Sequence, residues 1–109
     1  MRLLPAIRNL IGNYHVKSGA YHYYRHEYNQ AVDFLQKALR DEASLSVADL
    51  RKAPHYLTRS LMDSSRRRAA SGDLDQAVEE LRRAAEVSQA YPDIHFRLGD
   101  LLEQQERLE

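Results

Sequence analysis

The chain has 109 residues, enough for one hydrophobic core, and its 16 Lys and Arg balance 16 Asp and Glu. Cysteine is absent, which excludes disulfides, Cys-ligated zinc and a thiol nucleophile and fits a reducing compartment. Four glycines and three prolines, set against many Leu, Ala, Arg, Glu and Gln, make the composition of helices joined by short connections, so the expected class is all-α.

The charge balance conceals an asymmetry. Residues 1–72 carry 12 Lys or Arg and 6 Asp or Glu, whereas residues 73–109 carry 4 and 10, so the two parts stand near +6 and −6. A chain so polarised can associate head to tail, although solvated helix faces are the ordinary explanation.

In chain order, "MRLLPAIRNLIGNY" opens a first helix over about 2–25. Its apolar run, Leu3 to Ile7, is shorter than the roughly 7–15 residues of a signal-peptide core, so export by that route is not expected. Leu3, Ile7, Leu10, Ile11, Tyr14 and Ser18 form a stripe at helical spacing, which predicts a packed extension over residues 1–11. A second helix follows over 27–41. Ser46 with Asp49 reads as a capping-box variant opening a third helix over about 47–70, in which Pro54 marks a start or a kink. A fourth helix is expected over 74–90, with Asp73 and Asp75 at its start, and a fifth over 92–105, with Pro92 in its first turn. No uninterrupted apolar run approaches the roughly 20 residues of a membrane span, so a soluble cytoplasmic protein is expected.

Two segments align without gaps at an offset of 46, "EYNQAVDFLQKAL" (27–39) and "DLDQAVEELRRAA" (73–85). Two more align at an offset of 80, "HVKSGAYHYYRHEY" (15–28) and "HFRLGDLLEQQERL" (95–108), matching His15 with His95 and Gly19 with Gly99. The difference, 34, is the period of a two-helix solenoid repeat.

In that frame the residues resemble the tetratricopeptide repeat. Its second helix reads Ala31, Leu35, Ala38 and again Ala77, Leu81, Ala84; "SGDLDQA" supplies the turn at Gly72, and "RLGDLL" the Leu-Gly pair of a first helix. The resemblance implies a helical-hairpin solenoid of about two and a half repeats and five helices, in a single domain over 1–109. Its units fall at about 12–45, 58–91 and an incomplete 92–109, with 46–57 as an insertion. The chain departs from the pattern at His26, where a turn glycine is preferred, at Ser64-Ser65 in place of Leu-Gly, and at Arg68 in place of a buried aromatic. The third unit stops at Glu109 before its second helix, which is the expectation for a piece of a longer repeat protein.

Family resemblance also implies a function: a scaffold for protein–protein contacts, holding a peptide or protein segment in a groove lined by the first helix of each unit. The matching positions are Asn13, Val16, Ala20, Tyr23 and Tyr24, then Arg59, Met62 and Arg66, then Phe96, Asp100 and Glu103. Val16 and Ala20 stand where the carboxylate-clamping subfamily has Lys and Asn, which argues against that ligand. As alternatives, Leu98, Leu101 and Leu102 on the last helix suit self-assembly into a homodimer, and Arg66, Arg67 and Arg68 suit nucleic acid, a weak signal in a neutral chain.

His22 and His26 have the spacing of a two-imidazole metal site, yet His15 and His22 fall at packing positions and His26 at a turn, so no metal site is expected. Neither a nucleophile elbow nor a phosphate loop nor a carboxylate pair occurs, so no catalytic activity and no cofactor are expected.

Overall fold

The computed structural model describes residues 4–88 and 91–108. They form α1 (Pro5–Tyr24), α2 (Tyr28–Arg40), a 3-10 turn (Glu42–Ser44), α3 (Val47–Ala70), α4 (Leu74–Val87) and α5 (Pro92–Leu108). The described residues are all-α with five α-helices, in the helical-hairpin pattern that the repeat implies. Contacts cluster into two compact units, Met1–Leu57 and Thr58–Glu109, so the boundary falls inside α3. No helix among the described residues is long and apolar enough to cross a membrane.

In the first unit α1 and α2 form an antiparallel hairpin. Small residues set how closely they approach: a methyl group on Gly19 would fall 2.6 Å from Leu35 Cδ2, and one on Gly12 would fall 2.7 Å from Ser44 Oγ. This corrects the stripe expected along the first helix. Ile7, Leu10, Ile11 and Tyr14 are exposed and Leu3 lies outside the described residues, whereas Gly12, Val16 and Gly19 are the buried positions. Hydropathy points to the bulky face, but the glycine face is the one that admits a neighbouring helix. From α2, Tyr28, Ala31, Val32, Leu35 and Ala38 are buried against it.

The turn after α1 closes by paired backbone bonds, Glu27 N–H to His22 O at 2.9 Å and His26 N–H to Tyr23 O at 3.0 Å. This is a Schellman cap, whose penultimate residue must take a left-handed conformation, and His26 takes it at φ 61°. Ser46 caps α3 as expected, its Oγ accepting from Asp49 N–H at 3.1 Å. Asp49 is buried and accepts from Asn13 Nδ2 at 3.2 Å instead of returning to Ser46. Pro54 lies inside α3 and starts no helix.

The second unit repeats the hairpin. Asp73 N–H bonds to Arg68 O at 2.9 Å and Gly72 N–H to Ala69 O at 3.1 Å, the same cap 46 residues on, with Gly72 at φ 91°. Asp73 then caps α4, its Oδ1 accepting from Gln76 N–H at 3.3 Å. Ala77, Val78, Leu81 and Ala84 are buried as their counterparts on α2 are. The fourth helix ends at Val87, shorter than expected, with residues 89 and 90 outside the described range. The fifth runs on to Leu108 and packs on α4 through Ile94 and Leu101, and Gln105 Nε2 donates to Asp75 Oδ1 at 2.6 Å.

Candidate functional site

Within the second unit, α3, α4 and α5 leave a cleft of about 210 Å³. Its floor is apolar, built from Met62 of α3, Leu81 of α4 and Leu101 of α5, and it is open because Ser65 and Ala69 on the α3 side are small. Ser65 is held in place by donating its Oγ hydrogen to Ala77 O at 2.7 Å. Three charged side chains, Arg66, Arg97 and Asp100, make the rim. Arg66 Nη1 lies 3.9 Å from Asp63 Oδ1, a loose contact, and the side chain is largely in solvent. Arg97 differs. It is half-buried, and its Nη1 is shut off from solvent with no hydrogen-bond partner among the described residues. Such an atom costs free energy until a ligand or water supplies an acceptor.

The groove positions divide accordingly. Met62, Arg66 and Asp100 come together in this cleft, but Met62 is 2% exposed and serves as floor, a correction to its role as a surface contact. Val16 is also 2% exposed and is core, not groove, because it lies on the packed glycine face of α1. Asn13 and Ala20 are half-buried, with Asn13 bound to Asp49. Arg59 is half-buried on α3 and Phe96 is 77% exposed, and neither lines the cleft. Glu103 is exposed and accepts from Arg107 Nη2 at 2.7 Å.

The tyrosines of the first unit form an aromatic surface. Tyr23 lies 5.2 Å from Tyr24, 6.1 Å from Tyr28 and 5.8 Å from Tyr56, centroid to centroid. Tyr24 is 67% exposed and its hydroxyl lies 3.1 Å from that of Tyr56. The bond to Tyr24, then burial, pushes the Tyr56 phenol above its ordinary value. Tyr21 is exposed, with the Arg25 guanidinium 5.4 Å over its ring.

The histidines go to separate partners. His22 stacks on Phe34 at 5.4 Å and 7°, with Nδ1 3.3 Å from Glu27 Oε1. His26 Nδ1 instead lies 2.8 Å from the Tyr28 hydroxyl. Of the arginine triplet, Arg68 turns back to an ion pair with buried Glu80 and also lies 3.9 Å from Asp73 Oδ2, so it is not free to face a phosphate. Among the leucines expected to serve self-association, Leu101 is buried in the cleft floor against α4, which removes it from the open surface; Leu98 and Leu102 are half-buried.

The sequence marks Arg97 only as lying near one position of the carboxylate-clamping subfamily, not as the cation of this cleft. The signal available was its match to Lys17 in the 80-residue alignment, which places a cation beside a packing position.

Comparison with curated proteins and with solved structures finds no match. The family model described as TPR repeat matches residues 66–106, spanning the last turn of α3, all of α4 and most of α5. The hairpin that carries the cleft is thus similar in sequence to a TPR repeat over those residues.

Proposed function

We propose that the chain is a non-catalytic scaffold for protein–protein contacts and that its second unit holds a peptide segment of a partner protein in the cleft of α3, α4 and α5. One observation carries this reading: the unpartnered Arg97 Nη1 sits beside an apolar floor of Met62, Leu81 and Leu101. That combination suits a segment with an aliphatic side chain next to one carboxylate, the apolar group filling the cleft and the carboxylate pairing with Arg97. Asp100 on the same rim disfavours a second acid nearby. The repeat at residues 66–106 supports the general role, since such modules are scaffolds.

The exposed Tyr24, with Tyr23 behind it, supports a second contact surface on the first unit, because tyrosine and arginine are the side chains that most often anchor interfaces. The lack of cysteine fits a cytoplasmic setting.

The test is a peptide array probed with the full chain, followed by anisotropy titration of the best labelled peptides. Arg97→Ala is expected to weaken binding by about tenfold or more, the worth of one charge-assisted hydrogen bond. Equal binding by Arg97→Ala and parent would show that the cleft is not the site.

A further inference from the structure

Among the described residues, nothing covers one stripe of α5. Ile94, Arg97, Leu98, Leu101 and Gln105 are buried or half-buried on the α4 side, whereas His95, Phe96, Gly99, Glu103 and Glu106 are exposed and Leu102 is half-buried. The exposed set follows helical spacing of three and four, so it forms one face. The 80-residue alignment maps His95, Phe96, Gly99 and Leu102 onto His15, Val16, Gly19 and His22 of α1. On α1 this is the face that takes a helix: Gly19 abuts Leu35 of α2 and His22 stacks on Phe34. On α5 a methyl group at Gly99 would meet nothing within 4 Å. A mid-helix glycine costs about 1 kcal/mol relative to alanine, and no close packing among the described residues offsets that cost at Gly99.

We propose that this face pairs with the same face of a second copy of the chain, with the two α5 helices antiparallel and crossing at Gly99. Twofold symmetry about that crossing sets residue 99+k opposite 99−k. Phe96 then meets Leu102 of the second copy, His95 meets its Glu103, and each pair occurs twice. A parallel arrangement would instead set Glu103 against Glu103 and Glu106 against Glu106, so the charge pattern selects the antiparallel one. The two glycines at the centre let the helix axes come close, as Gly19 does within the α1–α2 hairpin. The interface uses Phe96, Gly99 and Leu102 and leaves the cleft on the other side of α5 free, so it stands independently of peptide binding. A contact made by a single helix face is expected to be weak, with association at about 100 µM and above.

The chain's lack of cysteine makes a direct test available. Gly99→Cys is expected to crosslink to itself under mild oxidation at the crossing, while Glu106→Cys, facing residue 92 of the other copy, is not. Light scattering over a concentration series should show the 12.7 kDa chain doubling in mass. Gly99→Leu should weaken that doubling by about tenfold or more with helicity unchanged, since the added side chain meets open space in the single copy. His95→Glu should also weaken it, and His95→Glu with Glu103→Lys should restore it. A single-copy mass up to about 1 mM, doubling indifferent to Gly99→Leu, or self-crosslinking of Glu106→Cys in preference to Gly99→Cys would each overturn the proposal.

Discussion

Arg68 of α3 and Glu80 of α4 meet as an ion pair at the place where, 46 residues earlier, His22 of α1 stacks on Phe34 of α2. The correspondence extends to the turns. His22 faces Glu27 at 3.3 Å, and Arg68 faces Asp73 at 3.9 Å. Two hairpins thus share one geometry but join their helices by different forces, a flat aromatic contact in the first and a charge pair around a buried carboxylate in the second.

The charge pair is the more fragile joint. Glu80 is 4% exposed, so removing its cation leaves a buried charge uncompensated. Arg68→Ala is expected to cost about 2 kcal/mol in urea unfolding, less than for a fully buried pair because Arg68 keeps part of its surface in water. Importing the pair from the first hairpin, Arg68→His with Glu80→Phe, should return stability to within about 1 kcal/mol of the parent. A double variant no more stable than Arg68→Ala would mean that the two joints are not interchangeable.

At the turns the same comparison gives an opposite-signed pair. His26 and Gly72 hold equivalent cap positions, at φ 61° and φ 91°. A side chain in the left-handed region costs roughly 1–2 kcal/mol, offset here in part by the bond from His26 to Tyr28. His26→Gly should therefore stabilise the chain by about 0.5 kcal/mol, and Gly72→Ala should destabilise it by about 1 kcal/mol. Thermal melts of both variants suffice, and a loss of stability in His26→Gly would show that its contacts outweigh its strain.

The second helix of each hairpin is legible in the sequence because small and large residues alternate there at spacings of three and four. Ala31, Leu35 and Ala38, like Ala77, Leu81 and Ala84, are all buried. The packed face of α1 is not legible by the same means. Glycine carries no hydropathy, so Gly12 and Gly19 are silent in a pattern that Ile7, Leu10 and Ile11 dominate. Arg68 reads as a misfit until Glu80 is placed opposite, and that needs the 46-residue register applied to Phe34. The cleft is harder still: Met62, Leu81 and Arg97 lie on three helices, and only their packing leaves the volume between them.

Gly19 and Gly99 occupy the same repeat position in opposite surroundings, which makes alanine a probe of what covers each. Gly19→Ala drives a methyl group into Leu35 and should cost about 1–3 kcal/mol, the penalty for overpacking a filled interface. Gly99→Ala places its methyl group in open space and, in dilute solution, should stabilise by up to about 1 kcal/mol through helix propensity alone. Chemical denaturation of the two variants side by side decides it. A destabilised Gly99→Ala in dilute solution would show that α5 is covered there.

His15 makes stability depend on pH. Its ring lies 5.6 Å from Tyr14 and 6.2 Å from Phe34, and burial, followed by the charge of Lys37, pushes its pKa below the ordinary 6.5. The unfolded chain therefore takes up this proton first as pH falls. The contribution of His15 is fully present above 6.5 and is lost as pH falls from there through the lower folded value. Glu27 acts in the same direction in a separate, more acid window: its hydrogen bond from Arg25 lowers its pKa below 4.5, so its share remains until pH drops past that value. Urea unfolding at pH 7.5 and at pH 5.5 should accordingly show the parent less stable at the lower pH, and His15→Gln should flatten that difference. Lys37→Gln should move the His15 titration upward in an NMR pH series, since it removes a like charge but leaves the burial in place. A His15 that titrates at or above 6.5 in the folded parent would mean that the ring is solvated, and the packing of α1 against Phe34 would then need to be redrawn.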